Sequence, residues 1–428
     1  MEKLLHYVWK QRILPLRALL SSDGREIEII NPGLPNYDAG PDFFNAKVRI
    51  DGTMWAGNVE IHLKSSDWYR HGHDTDEAYN NVILHVVNVV DCPVHTQSGK
   101  DIPQLQLDIP AQLRINYEEL LKPQDYPPCH EIVGKVDTFL VHSWMDILLC
   151  ERQEARAKAI SKRLSEFDGD WERTLFVSLA RNFGFGLNGD AFEAWAKLIP
   201  LSMIAKHRDD LFQIEAIFLG TAGLIDRAQE IDHYGERLLK EYEYQRKLFS
   251  LPDPMPKAQW KYLRLRPQNF PHIRLAELAW MYCEGRVSMS ALLDCMKKDE
   301  PLKALYKLLT AKTSDYWTTH LVVGKPVAQK KLTLSRSTQQ LLITNTVVPV
   351  LFAYSLAHGD EVLKAQLYDI LLALPAEDNR ILRLWKDCGV SVDNAADSQA
   401  LIELKLNYCD RSDCLRCSFG YEYLKRRL

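Results

Sequence analysis

Two neighbouring stretches hold the side chains best suited to chemistry: Gly40-Pro-Asp42-Phe-Phe, and Gly57-Asn-Val-Glu60-Ile-His62-Leu-Lys64. Read as a strand, the second puts Asn58, Glu60, His62 and Lys64 on one face and Val59, Ile61 and Leu63 on the other. Burying such a polar face is costly unless the groups find partners. A divalent ion supplies one, because Mg²⁺ favours carboxylate oxygens and retained waters. Asp42, heading the adjacent strand, is the second carboxylate. Mg²⁺ or Mn²⁺ held by Asp42 and Glu60 would stabilise the charge of a phosphoryl transition state, with Lys64 or His62 assisting the attacking water. The competing reading has Asp42 capping a turn and Glu60 on a solvated strand face.

His71-Gly-His73-Asp74-Thr-Asp76 follows directly, and imidazole with carboxylate suits Zn²⁺. The run does not complete the His-x-His-x-Asp-His pattern of metallo-β-lactamases, since Thr75 occupies the Asp position. The segment therefore reads as a polar loop with Asp74 or Asp76 as a helix cap, or as a lid that leans His71, His73 or the nearby Tyr79 over the carboxylates. His85 lies in an apolar run and reads as a core histidine.

Two further constellations lie downstream. Cys409-x4-Cys414-x2-Cys417 is a knuckle for Zn²⁺ or an iron–sulfur cluster, either of which normally takes four ligands. No fourth ligand is apparent nearby, so reduced, packed thiols are the alternative; the other six cysteines are scattered singly. Arg264, Arg266, Phe270 and Arg274 interleave cations with an aromatic ring, a pattern that suits phosphate contact and base stacking by nucleic acid. It equally suits an interhelical loop whose arginines pair with acids.

The elements positioning these residues divide the chain. Residues 1–110 predict a helix over 4–14, strands over 26–30, 43–50, 54–63 and 82–90, a shorter one over 105–109, and a helix between the third and fourth within 67–81. The order is αβββαβ. Residues 111–137 are a Pro-rich, charged connector, and 138–428 carry almost only helical periodicity. The fold class is thus an α/β head followed by a large all-α body. In 428 residues with a net charge of −4, no global cationic field coats nucleic acid, although a local groove is compatible. No eighteen-residue apolar run and no signal-like start are present, which predicts a cytoplasmic protein with no membrane span.

The head resembles the PD-(D/E)XK core of restriction-endonuclease-like nucleases, with Asp42 matching the Pro-Asp carboxylate and Glu60 the first acid of the tripeptide. His62 stands where that superfamily has lysine, and Lys64 is the next cation on the same face. The resemblance implies a Mg²⁺-dependent nuclease acting on DNA or RNA. A degenerate head serving as a nucleic-acid- or protein-binding scaffold is a second reading, and a protein built on a structural Zn or Fe–S knuckle is a third. Over nearly its whole length the chain also resembles an uncharacterised bacterial family, the domain of unknown function numbered 2851. Leu5-His-Tyr-Val-Trp, Ala39-Gly-Pro-Asp-Phe, Gly57-Asn-Val-Glu-Ile-His, Arg266-Pro-Gln-Asn-Phe-Pro and Cys414-Leu-Arg-Cys carry that likeness.

Overall fold

The computed structural model describes the chain except for residues 15–17, 37, 123–126, 227–230, 284–286, 330–332 and 427–428. The described chain forms two compact units, Met1–Leu140 with Lys405–Leu428, and Val141–Leu404. The sequence pattern kept 405–428 with the helical body; by packing, that segment groups with the head.

The first unit is built on one mixed sheet. Its strands are β1 (Leu19–Leu20), β2 (Glu26–Asn31), β3 (Leu34–Pro35), β4 (Phe43–Ile50), β5 (Thr53–Lys64), β6 (Val82–Val89) and β7 (Gln104–Gln106). Their spatial order is β1-β2-β4-β5-β6-β7, with β3 on β4. Neighbours through β5 are antiparallel, whereas β6 runs parallel to β5 and β7 parallel to β6. Asp51-Gly52 joins β4 to β5, both residues at positive φ (45° and 78°), the geometry that makes Asp-Gly a tight hairpin turn. Helix α1 (Glu2–Lys10) packs on β5 and buries Leu4, Leu5, Val8 and Trp9 completely. It ends four residues before the periodicity does, because Arg12 turns left-handed at φ 52°.

The helix expected between β5 and β6 is absent as such. α2 (Asp67–Arg70) makes one turn, residues 71–75 form turns, and a 3₁₀ turn spans Glu77–Tyr79 with Asp76 as its cap. Gly72 explains the break: its φ of +76° is left-handed and stops the helix after one turn. At Gly57 a side chain would meet Ile83 and the Asn81 carbonyl at 2.4 and 2.7 Å, so glycine there allows β6 to start against β5.

The expected connector is partly helical, with α3 (Ala111–Leu120) and α4 (His130–Val133); its centre, 123–126, lies outside the described residues. The C-terminal helix Ser418–Lys425 docks on α3, where Asn116 Nδ2 donates to the Leu424 and Arg426 carbonyls, both at 2.9 Å.

Among the described residues, the regular structure of the second unit is helical apart from a small hairpin, His320–Val322 with Lys325–Pro326. One of its helices, Arg336–His358, contains a π turn at Ile343–Val347. Pro349 is the cause, since it cannot donate to the Asn345 carbonyl four residues back. Asn182 Nδ2 donates to that carbonyl instead, at 2.8 Å. This helix is long and apolar enough to cross a membrane, with mean hydropathy 1.5. Burial of 67% of its apolar window within the unit accounts for that composition as a core helix.

Candidate metal centre

Four histidines and two carboxylates meet on the face of β5. Parallel register sets Glu60 beside His85, and alternation adds His62, so the three side chains share one face. Glu60, His62 and His85 are all buried. The turn after α2 then folds back over them, with His73 N donating to the Trp68 carbonyl at 3.1 Å, which carries His73 inward and leaves His71 at the exposed edge of the set. His73 is buried and stacks between Tyr79 (3.8 Å between ring centres, 21°) and His62 (5.3 Å, 12°). Trp68, Tyr79, Val82, Val94 and Ile102 form the apolar cluster beneath this turn.

One ligand nitrogen from each of His62, His71 and His73 lies within 4.8 Å of the other two. His71 Nδ1 is 3.1 Å from His62 Nε2. Glu60 Oε1 is 3.4 Å from His62 Nε2 and 3.2 Å from His73 Nε2, the latter without hydrogen-bond geometry. Donors ~2.1 Å from one ion stand ~3.0–3.4 Å apart in tetrahedral or octahedral arrangements, so these separations fit the edges of a coordination shell. Behind it, His62 Nδ1 lies 2.9 Å from His85 Nε2. With the His62 Nδ1–H donating to His85, the His62 Nε2 lone pair is left facing Glu60, the arrangement that usually orients a metal-binding imidazole.

Asp42 adjoins this set but faces partly away. Its main-chain N–H donates to Glu60 Oε2 at 3.1 Å, while its own Oδ2 accepts from Ile61 N–H at 2.9 Å and lies 3.5 Å from His6 Nε2. Burial pushes both carboxyls up. Glu60 rises to about 7, chiefly by desolvation, against the pull of His73 and with a push from Asp42. For Asp42 desolvation outweighs the opposing pull of His6. Burial first, then the neighbouring imidazoles, pushes His62 down to about 2; burial likewise pushes His85 down to about 3. Burial and the Glu60 and Asp42 charges push Tyr79 up to about 12.

The other sequence candidates are placed differently. Lys64 sits at the exposed end of β5, where its charge bears on Asp91. Along a strand it stands ~13 Å from Glu60, which does not favour a role at the carboxylates. Arg264 and Arg266 are exposed and Phe270 is half-buried, but Arg274 is not an open cation. It is buried, donating to Glu277 Oε2 and Asn269 Oδ1 at 2.6 Å each and lying over the Phe185 ring. Arg274 thus follows the second of the two readings, an arginine paired with an acid, and an Arg–Glu pair three residues apart on a helix was the available signal. Cys409, Cys414 and Cys417 lie in the first unit and lie within electrostatic reach of Cys129. Sequence reasoning passed over His6 and Cys129 and read His85 as core packing alone. Nothing local marks Cys129, because its neighbours in space come from the far end of the chain.

The model of the family described as "Protein of unknown function (DUF2851)" matches residues 2–380, and the chain belongs to that family. No curated protein and no solved structure matches the chain.

Proposed function

We propose that the first unit is a divalent-metal-dependent hydrolase of phosphodiester bonds, in which Glu60, His62, His71 and His73 hold the ion. The observation that carries this reading is the convergence of three imidazole nitrogens within 4.8 Å, with Glu60 Oε1 at 3.2 and 3.4 Å from two of them. This donor set favours Zn²⁺, Mn²⁺ or Fe²⁺ over the Mg²⁺ that a pair of carboxylates alone would select. A bound ion would lower the pKa of a coordinated water and polarise a phosphoryl oxygen. His85 fixes the tautomer and tilt of His62, and Tyr79 walls His73 in place by stacking. Asp42 and His6 lie beside the pocket, partly exposed, as a pair that can take a proton from the attacking water.

The substrate class rests on the resemblance to PD-(D/E)XK nucleases. An antiparallel meander followed by a parallel strand supports it, as do Asp42 heading β4 and Glu60 within β5. In this reading His62 replaces the superfamily's lysine as a ligand, which explains why Lys64 need not reach the site.

The test is hydrolysis of single- and double-stranded DNA and RNA, and of a small phosphodiester, by full-length protein loaded with Mn²⁺ or Zn²⁺. Turnover that is lost in Glu60→Gln, with an unchanged circular dichroism spectrum, supports the reading. A wild-type protein that takes up one ion and cleaves no member of the panel overturns the substrate class. One that takes up no ion overturns the site.

A further inference from the structure

We propose that Cys129, Cys409, Cys414 and Cys417 together ligate an iron–sulfur cluster, a site separate from the histidine pocket and independent of its function. Cys129 immediately precedes α4, and the other three surround the turn that leads into the C-terminal helix. The structure invests specific contacts in joining these distant segments. Asn116 of α3 caps the end of the C-terminal helix, Tyr423 Oη donates to Glu119 at 3.1 Å, and Arg426 bridges Glu119 and Glu131, the latter at 2.9 Å and next but one to Cys129. Gly420 lets that helix close on the cysteine turn, since a side chain there would meet the Cys414 carbonyl at 2.0 Å.

The sulfurs are buried together. Cys129, Cys414 and Cys417 are 6%, 8% and 7% exposed, Cys409 is half-buried, and none is in a disulfide. Cys129 lies within electrostatic reach of Cys417, Cys409 and Cys414, and burial raises its thiol. Burial likewise pushes Cys414 up to about 11. Four thiols, three buried and one half-buried and none in a disulfide, suit a soft metal, for which thiolate is a preferred ligand.

Spacing chooses between the soft metals. A single tetrahedral Zn²⁺ would draw its thiolates to ~3.8 Å apart. Among the described residues, the set of three ligand atoms lying within 4.8 Å of one another is the histidines and not the cysteines. A cluster places several atoms between its thiolates and accepts the wider spread. The intervals Cys409-x4-Cys414-x2-Cys417 equal those of plant-type [2Fe–2S] ligand runs, whose fourth cysteine also stands apart in sequence. Here the distant cysteine precedes the run.

Full-length protein purified without oxygen decides the matter by iron, acid-labile sulfide and zinc content, with visible absorbance. Brown protein holding iron and sulfide in equal amounts is the expected result, with at least a two-fold loss of both in Cys129→Ser and none in Cys150→Ser. Should Cys129→Ser fold poorly, protection of the wild-type thiols supplies the second readout. All four should resist alkylation until iron is chelated, as seen by peptide mass analysis. Stoichiometric zinc without sulfide, iron retained in a folded Cys129→Ser protein, or a disulfide between any two of the four overturns the proposal.

Discussion

Glu60 in the first unit and Glu277 in the second are both buried carboxylates next to nitrogen bases, and they differ in one respect. Glu277 meets a partner that is always charged, the Arg274 guanidinium at 2.6 Å, whose second arm is taken by Asn269. Glu60 meets imidazoles, and burial pushes one of them, His62, far towards its neutral form. Around Glu277 the chain supplies both halves of the ion pair. Around Glu60 it supplies nitrogens of His62, His71 and His73 that lie close to one another, and no permanent cation within the set. A buried polar cluster complete in itself serves the fold, whereas one whose donors all point at a common space is arranged for something the chain does not contain.

The largest expected effect breaks the complete cluster. Glu277→Ala leaves a buried guanidinium without its partner and should lower unfolding stability by about 3–5 kcal/mol, read as a shift of the denaturation midpoint, with metal content unchanged. An unshifted midpoint would mean the pair contributes nothing to the fold. At the incomplete cluster the gain should come from outside. Metal at a hundred times its dissociation constant should stabilise wild type by about 2.7 kcal/mol, seen as a higher melting temperature, and His73→Ala should lose that increment. Equal stabilisation of both proteins would place the ion elsewhere.

Smaller effects sharpen the contrast. His85 touches no proposed substrate; it positions His62 through the 2.9 Å contact. His85→Ala should weaken metal affinity about 10–100-fold by calorimetric titration, and His85→Gln, which keeps an acceptor, should recover part of it. Gly72→Ala should cost about 1 kcal/mol, because alanine resists the left-handed backbone that turns the histidine loop inward. Lys64→Ala should leave metal affinity unchanged; a loss would return Lys64 to the site.

Strand alternation made the face carrying Glu60 and His62 readable, and Asp51-Gly52 marked the hairpin that aligns β4 with β5. Both are local signals. His71 and His73 could be named but not placed, because their orientation depends on Gly72 and on stacking against Tyr79, which comes from a later turn. The same glycine explains why a fifteen-residue interval long enough for a helix, 67–81, holds one short turn and a 3₁₀ segment. Between an open Arg274 and one paired with an acid the sequence could not choose, because burial of nearly all of the helix Pro271–Tyr282 is a tertiary fact that its sequence alone does not carry. Cys129 was the least legible of all, since only the docking of the C-terminal helix brings it to its partners.

The central claim is that one ion sits among the three imidazoles and Glu60. Crystals of the full-length protein soaked in Mn²⁺ or Zn²⁺, with data collected at the metal's absorption edge, test it most directly. One anomalous peak bonded to nitrogens of His62, His71 and His73 and to Glu60 Oε1 is the expected result. A pocket without a peak at saturating metal, or a peak bridging Asp42 and Glu60 with the imidazoles uninvolved, would contradict it.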